Sequence, residues 1–281
     1  MSRPPTFVPP ACARSRMLET SRGPFAVLDA EPGGAAKGTA MLLPGYTGSK
    51  EDFIAMLEPL ASAGYRAVAV DGRGQYESEG PAAQEAYAQS ELALDVLAQA
   101  EAVGGRLHLV GHSLGGQIAR AAVLLDADPF VTLTLISSGP ARITPSQQSK
   151  VKLLSDALAV MDMAEIWEAM RAMEPPEEAG PNGQGREDLR RRWLRHNPSQ
   201  LLATGRQLTV EPDRVDELAT VPLPKHVLSG ALDDTWPVPL LDEMAVRLGA
   251  RRTVIDGAEH SPNTDRPAET AGALTGFWRQ Y

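Results

Sequence analysis

The most constraining feature of the chain is a short turn between a strand pattern and a helix pattern. Residues 107–110 have the pattern of a buried strand, and residues 114–125 place their apolar side chains on one face of a helix. Between them lies Gly111-His-Ser-Leu-Gly115, which matches the pattern G-x-S-x-G. A serine turned sharply here takes a strained backbone conformation, and side chains two residues before and after it would clash. Glycine at both places lets the turn close. It leaves the Ser113 hydroxyl exposed at a helix N-terminus, where the dipole and free N–H groups favour an oxyanion.

The rest of the chain alternates strand and helix patterns. This alternation is typical of a parallel sheet with helices on both faces, so the expected fold is a mostly parallel, doubly wound α/β sheet. Residues 16–20 and 25–28 are predicted to pair as a hairpin. Further strands are predicted at 40–43, 66–70, 107–110, 131–136, 225–229 and 252–255, and helices at 51–63, 84–103, 114–125, 238–248 and 267–281.

The rhythm changes between residues 141 and 221. This region has no convincing strand pattern but has two helical zones, 147–173 and 187–207, separated by a linker rich in proline and glycine at 174–185. We expect a helical cap inserted into the sheet domain. The predicted organisation is a proline-rich, loose lead-in at 1–13, a core at 14–140 and 222–281, and the cap at 141–221.

Composition excludes several classes of partner and location. The net charge of −9 argues against nucleic acid and against an anionic membrane surface. A single cysteine, Cys12, rules out an internal disulfide. The N-terminus lacks the apolar region of a secretory signal, and no apolar run reaches the length of a transmembrane helix. We therefore expect a cytoplasmic protein with a small-molecule substrate; composition permits a monomer or a dimer equally.

Three separate segments carry a resemblance to a known family. The first is the turn around Ser113, Gly-His-Ser-Leu-Gly-Gly at 111–116, which we call the nucleophile elbow. The others are a Gly-x-x-Asp-x-x-x-Pro segment at 230–237 and a Gly-x-x-His segment at 257–260. With these segments in this order the sequence resembles the α/β-hydrolase-fold superfamily, of the capped serine esterase or lipase type. The resemblance spans nearly the whole chain outside the first dozen residues and the predicted cap.

The resemblance implies a catalytic triad. Ser113 is the expected nucleophile, and His260, in the loop after the last strand, is the expected base, since a parallel sheet brings that loop to the edge where the elbow lies. Asp233 is the expected acid that orients His260. Its neighbour Asp234 remains a competitor, because the sequence alone does not say which carboxylate points inward. The family spacing favours Asp233.

An oxyanion hole is also implied. Its expected donors are the backbone N–H groups of Leu114 and Tyr46. The loop that carries Tyr46 begins with Pro44 where the family commonly has histidine, a departure that removes a hydrogen bond bracing the loop. The segment 71–78 resembles a polar turn of the family, with Tyr76 where glycine is usual, and is interpreted as structural.

The predicted cap supplies weaker candidates. Trp167, Met163 and Met170 fall near helical spacing and are proposed as pocket wall, although such a stripe is more often packing. Four arginines within residues 190–195 are interpreted as a solvated helix face paired with neighbouring acids. A gate for anionic substrates is the alternative.

These features together favour a serine hydrolase. The expected reaction is cleavage of a carboxylic ester, lactone or thioester of a small, mostly apolar molecule through an acyl-enzyme on Ser113. No metal or cofactor is expected, because no cluster of ligand residues and no phosphate-binding glycine loop is present. The alternatives are carbon–carbon bond or amide hydrolysis, perhydrolase activity, or a ligand-binding receptor with little turnover.

Overall fold

An eight-stranded sheet forms the centre of the protein in a computed structural model that describes residues 2–173 and 183–281. The strands are β1 (Ala13–Thr20), β2 (Gly23–Ala30), β3 (Gly38–Leu43), β4 (Tyr65–Val70), β5 (Leu107–His112), β6 (Phe130–Ile136), β7 (Lys225–Gly230) and β8 (Arg251–Ile255). Their order across the sheet is β1-β2-β4-β3-β5-β6-β7-β8. Only the pairs β1–β2 and β2–β4 are antiparallel. The predicted hairpin and the predicted mostly parallel sheet are confirmed.

Helices cover both faces of this sheet. The bounds of the helices in the sheet domain are α1 (Ile54–Ser62), α2 (Gln89–Val103), α3 (Leu114–Leu125), α9 (Val238–Leu248), α10 (Pro262–Asp265) and α11 (Pro267–Trp278). Apolar side chains of α1 and α11 pack on one face, and those of α2, α3 and α9 pack on the other. Adjacent strand residues alternate between the two cores, as Met41 and Leu42 do. None of the helices in the described residues is long and apolar enough to cross a membrane.

Among the described residues between β6 and β7, four longer helices and one short helix are present. They are α4 (Pro145–Leu158), α5 (Met163–Ala172), α6 (Gly183–Arg195), α7 (Pro198–Val210) and α8 (Val215–Ala219). Each predicted helical zone is therefore two helices. The first is interrupted before Asp162, whose carboxylate accepts N–H groups at the start of α5. The second is interrupted at Asn197, which caps α7 in the same way. Most of the predicted linker, residues 174–182, lies outside the described residues.

The lead-in predicted to be loose packs on the domain instead. Pro4 is buried, and the Ser2 carbonyl oxygen accepts a 2.6 Å hydrogen bond from Arg192. The Phe7 ring lies edge-on to Tyr76, with ring centroids 6.3 Å apart. The segment 2–10 is thus anchored at two points before β1 begins.

Candidate active site

The turn at Ser113 has the conformation that its glycines were expected to permit. Ser113 has φ 54° and ψ −119°, a strained conformation for a residue with a side chain. A methyl group added at Gly111 would collide with the Gly115 carbonyl, and one added at Gly115 would lie 2.5 Å from the carbonyl oxygens of Leu43 and Pro44. Both glycines are therefore required by backbone that approaches too closely for a side chain.

The structure brings Ser113, His260 and Asp233 together. His260 Nε2 lies 3.1 Å from Ser113 Oγ. His260 Nδ1 lies 3.0 Å from each carboxylate oxygen of Asp233. The three residues follow β5, β8 and β7, so one edge of the parallel sheet collects them.

Asp233 is held as an ionised carboxylate. Its side chain is fully buried, and Oδ1 accepts the backbone N–H groups of Thr235 and Trp236 at 2.8 and 3.0 Å. Burial favours the protonated carboxyl, but the hydrogen bond and charge of His260 and the two backbone donors outweigh burial. The pKa of Asp233 is therefore lowered from its ordinary value.

Asp234 has a different environment. Its side chain is 68% exposed, and Oδ2 bonds Gln147 at 2.5 Å and lies 3.6 Å from Lys150 Nζ. The hydrogen bonds at His260 Nδ1 run to Asp233 alone in the described part of the chain. Of the two candidate acids, the structure places Asp233 beside the histidine.

The loop that carries Tyr46 is braced by a glutamine that the sequence did not single out. Gln75 Nε2 donates to the Gly45 carbonyl at 2.8 Å, and Gln75 Oε1 accepts the Gly72 N–H at 3.0 Å. This contact ties the loop to the polar turn after β4. The Tyr46 hydroxyl adds a 2.7 Å hydrogen bond to the Leu201 carbonyl of α7.

The two expected oxyanion donors flank Ser113. Leu114 is the first residue of α3, so its N–H group has no partner within the helix. The loop of Tyr46 approaches the nucleophile closely, since a methyl group on Gly45 would lie 3.3 Å from Ser113 Cβ. Their role in stabilising an oxyanion stays a prediction.

The polar turn after β4 is structural, as interpreted. Asp71 accepts hydrogen bonds from the Lys50 N–H and ammonium group at 2.7 and 2.8 Å, and the Ser78 hydroxyl donates to the Asp71 carbonyl. Tyr76 has a positive φ of 39°, consistent with the glycine usual at that position. Its ring lies 4.6 Å from the Lys50 ammonium, a cation–π contact that glycine could not make.

His112 contributes to the site in a way that the sequence did not reveal. It does not face Ser113 as a base; its Nε2 lies 2.9 Å from the main-chain oxygen of His260. Burial, with the nearby His260, lowers the pKa of His112 to about 4, so the ring is neutral at pH 7. Burial lowers the pKa of His108 and His196 to about 4 and that of His226 to about 3, which agrees with the structural roles expected of them.

A cleft of about 500 Å³ opens above Ser113 and His260. The residues proposed as pocket wall do not belong to its described lining. Trp167 packs instead with Trp193 and Leu201, and Met163 and Met170 lie against that cluster. The apolar stripe stabilises the contact among α5, α6 and α7, and α4 supplies one wall of the cleft.

The arginines of α6 are only partly solvated. Arg192 is fully buried, and its Nη1 lies 2.7 Å from Asp52 Oδ1. Arg191 bonds the Tyr76 hydroxyl at 3.1 Å, and Arg195 lies 3.5 Å from Glu77. The expectation of a uniformly solvated face is wrong for Arg192, whose partner is 140 residues away in the chain.

Comparison with known proteins agrees with the fold. The model of the alpha/beta hydrolase family matches residues 40–273. The chain belongs to this family. A pimeloyl-(acyl-carrier protein) methyl ester esterase of Aeromonas hydrophila is 30% identical over 174 residues, which cover 58% of this chain and 66% of that protein, just under two thirds of its length. Epoxide hydrolase A of Mycobacterium tuberculosis is 26% identical over 317 aligned positions, covering 93% of this chain and 96% of that protein.

Solved structures give the same result for the fold. A hydrolase from Pseudomonas aeruginosa PA01 superposes with a TM-score of 0.76 at 24% identity, covering 94% of this chain and 98% of that one. The predicted fold and family resemblance are confirmed, and the family and its relatives support a hydrolase.

Proposed function

We propose that this protein is a serine hydrolase that cleaves a carboxylic ester, including lactones and thioesters, through an acyl-enzyme on Ser113. The observation that carries the proposal is the continuous chain of contacts from Ser113 Oγ to His260 Nε2 and from His260 Nδ1 to Asp233. A serine hydroxyl is a weak nucleophile until a base within hydrogen-bond distance takes its proton. His260 stands at that distance.

The reaction has two halves. Ser113 Oγ attacks the ester carbonyl while His260 Nε2 accepts the hydroxyl proton, and the protonated His260 then donates that proton to the departing alcohol. Water, activated by the same nitrogen, hydrolyses the acyl-enzyme. The buried Asp233 carboxylate stabilises the imidazolium in both halves, and the N–H groups of Tyr46 and Leu114 face the developing oxyanion.

An ester substrate has support from similarity as well. The Aeromonas relative is named for hydrolysis of a methyl ester. Amide and carbon–carbon bond hydrolysis would use the same three residues, so the choice of the ester class rests on this relative and on the triad together.

We also infer that residues 141–221 act as a cap. In support, α4 contributes Gln147, Lys150 and Val151 to the lining of the cleft, and Ile143 precedes this helix in the same lining. A helix inserted between β6 and β7 thus forms part of the wall of the cleft. Access to Ser113 then depends on the placement of α4.

Intact mass after treatment with a fluorophosphonate tests the nucleophile. We expect one adduct on the wild type and none on Ser113→Ala, followed by turnover of simple esters by the wild type alone. An adduct on both proteins would place the reactive group elsewhere. An adduct on the wild type without turnover of any ester would favour a binding protein that retains the triad.

A further inference from the structure

Two buried acceptor atoms belong to residues that line the cleft of Ser113 and have no role in the proposed reaction. Asp52 Oδ2 and His112 Nδ1 are both buried, and neither has a hydrogen-bond partner among the residues that the structure describes. Asp52 is 1% exposed and His112 is 3% exposed. Both residues line the cleft that contains Ser113 and His260. Buried polar atoms in proteins nearly always have a partner, and a group bound in the cleft could supply one for these two acceptors.

The charge and protonation of the pair are set by their other contacts. Asp52 Oδ1 is bound to the buried Arg192 guanidinium at 2.7 Å, an ion pair that requires the carboxylate form. His112 Nε2 faces the His260 carbonyl oxygen, which can only accept, so Nε2 carries the proton and Nδ1 is a bare acceptor. Both free atoms therefore require a donor.

The loop of Tyr46 packs against both acceptors, at the cleft that also contains Ser113 and His260. A methyl group on Gly45 would lie 3.3 Å from both His112 Nδ1 and Ser113 Cβ, so Gly45 lies against both residues. A methyl group on Gly48, at the end of the same loop, would collide with Asp52 Oδ2. The Asn263 side chain fixes the main chain of Asp52 through a 2.9 Å bond to its carbonyl.

The charges along the cleft favour a donor over an anion. Acidic side chains in its described lining outnumber basic ones, although Asp234 is paired with Lys150 and Asp52 with Arg192. The acidic residues are Asp52, Asp234, Glu259 and Asp265, and the basic ones are Arg3 and Lys150.

We propose that Asp52 and His112 form a subsite that binds a hydroxyl or ammonium group carried by the substrate close to its ester carbonyl. The subsite rests on the proposed function, because the substrate is the ester that Ser113 attacks. It changes the expected substrate from a mostly apolar ester to one with a hydrogen-bond donor near the reacting carbon. A donor that meets an ionised acceptor stabilises both the bound ester and the transition state.

Matched esters test the subsite. Each set places a methyl, hydroxyl or ammonium group at one position: methyl isobutyrate, lactate and alaninate for the α carbon, and methyl isovalerate, hydroxybutyrate and aminobutyrate for the β carbon. Propyl and hydroxyethyl acetate test the alcohol side. The measured quantity is the ratio of kcat/KM for the donor ester to that for the methyl ester, in the wild type and in Asp52→Asn. Intrinsic reactivity cancels between the two proteins.

At the position that fits, we expect Asp52→Asn to lower this ratio by about 10- to 100-fold, the range for a hydrogen bond to a charged group. Asp29→Asn is the matched control, since Asp29 is also a fully buried carboxylate, paired with Arg66 and Arg16, but lies in β2. Asp29→Asn should leave the ratio unchanged. If Asp52→Asn does not fold, Asp52→Asn with Arg192→Met removes both buried charges and is measured instead.

The outcomes separate the two proposals. Hydrolysis of the esters with equal ratios in wild type and Asp52→Asn at every position overturns the subsite and leaves the esterase standing. A ratio that falls equally in Asp29→Asn also overturns it, since loss of any buried carboxylate would then suffice. If the wild type hydrolyses none of the esters and forms no fluorophosphonate adduct, the proposed function is wrong, and the subsite falls with it.

Discussion

Replacement of Asp233 by asparagine should stop the proposed reaction by fixing the wrong tautomer of His260. Asp233 Oδ1 accepts two backbone N–H groups, from Thr235 and Trp236. An asparagine must keep its carbonyl oxygen on those donors, because its amide nitrogen cannot accept them. The amide NH2 group then takes the place of Oδ2. Since Oδ1 and Oδ2 each lie 3.0 Å from His260 Nδ1, that nitrogen now faces an amide donor where it had a second acceptor, and the donor disfavours a proton on Nδ1. Nδ1 becomes the acceptor, and the ring proton moves to Nε2.

A protonated Nε2 cannot take the proton of Ser113, which lies 3.1 Å away. For the same change in a serine protease the loss in kcat is about 10⁴-fold, and we expect a loss on the order of 10³- to 10⁴-fold here. Asp234→Asn is the matched control at the adjacent position. Its side chain is 68% exposed, and exposed ion pairs contribute about 0–1 kcal/mol, so kcat should change by less than about threefold.

The assay is steady-state hydrolysis of one activated ester at pH 7 by wild type and both variants, with circular dichroism to show that each is folded. Fluorophosphonate labelling rates give an independent measure of Ser113 reactivity and should fall in Asp233→Asn alone. Equal losses in the two variants, or a larger loss in Asp234→Asn, would refute the tautomer argument and the assignment of Asp233.

Three further predictions concern the framework of the site. Gly115→Ala should prevent stable folding, because the added methyl group would lie 2.5 Å from backbone oxygens. Gly276→Ala is the control: it lies on α11 with nothing within 4 Å of the added methyl group, and it should leave the melting temperature unchanged or raise it. Similar melting curves for the two variants would contradict the reason given for the glycines around Ser113. Burial lowers the pKa of His226 from 6.5 to about 3 in the folded protein, so its contribution to stability is complete above pH 6.5 and is lost as the pH falls towards 3. Between those pH values, the unfolding free energy measured in urea should fall by about 1.4 kcal/mol more per pH unit for the wild type than for His226→Gln. Equal dependence of the unfolding free energy on pH in the two proteins would contradict this prediction. Tyr46→Phe removes the hydrogen bond to Leu201 and should cost about 1 kcal/mol in the same denaturation, whereas a neutral result would mean that the loop is fixed by other contacts.

The elbow and its partners could be predicted because local rules determine them. Glycines around Ser113 are demanded by backbone contacts within the turn, and the place of His260 follows from the parallel sheet, which delivers successive loops to one edge. The identity of Asp233 over Asp234 followed only from family spacing. The physical reason, two backbone N–H groups and a buried pocket, is visible only in the folded chain.

The lining of the cleft could not be predicted, because a helical stripe shows which side chains face inward and not what they meet. Trp167 and Met163 do face inward, but onto Trp193 and Leu201. The wall of the cleft comes from α4, in which no residue is fully buried and whose sequence has no distinguishing pattern. Packing and lining residues obey the same periodicity.

Arg192 shows why the sequence also gave no indication of the proposed subsite. Its guanidinium bonds Asp52 at 2.7 Å and the Ser2 carbonyl at 2.6 Å, and it lies 5.8 Å from the Phe7 ring. A buried arginine without Asp52 would leave an unpaired charge inside the protein and strongly destabilise the fold. The ion pair therefore keeps the Asp52 carboxylate in place next to the loop of Tyr46. The anchored segment 2–10 closes the other side of that arginine. Arg192 of α6 thus links segment 2–10 to Asp52, the acceptor proposed to select the substrate. Substitutions in segment 2–10 should therefore change the ratio of kcat/KM for donor-bearing esters to that for methyl esters, and should leave the rate of fluorophosphonate labelling of Ser113 unchanged.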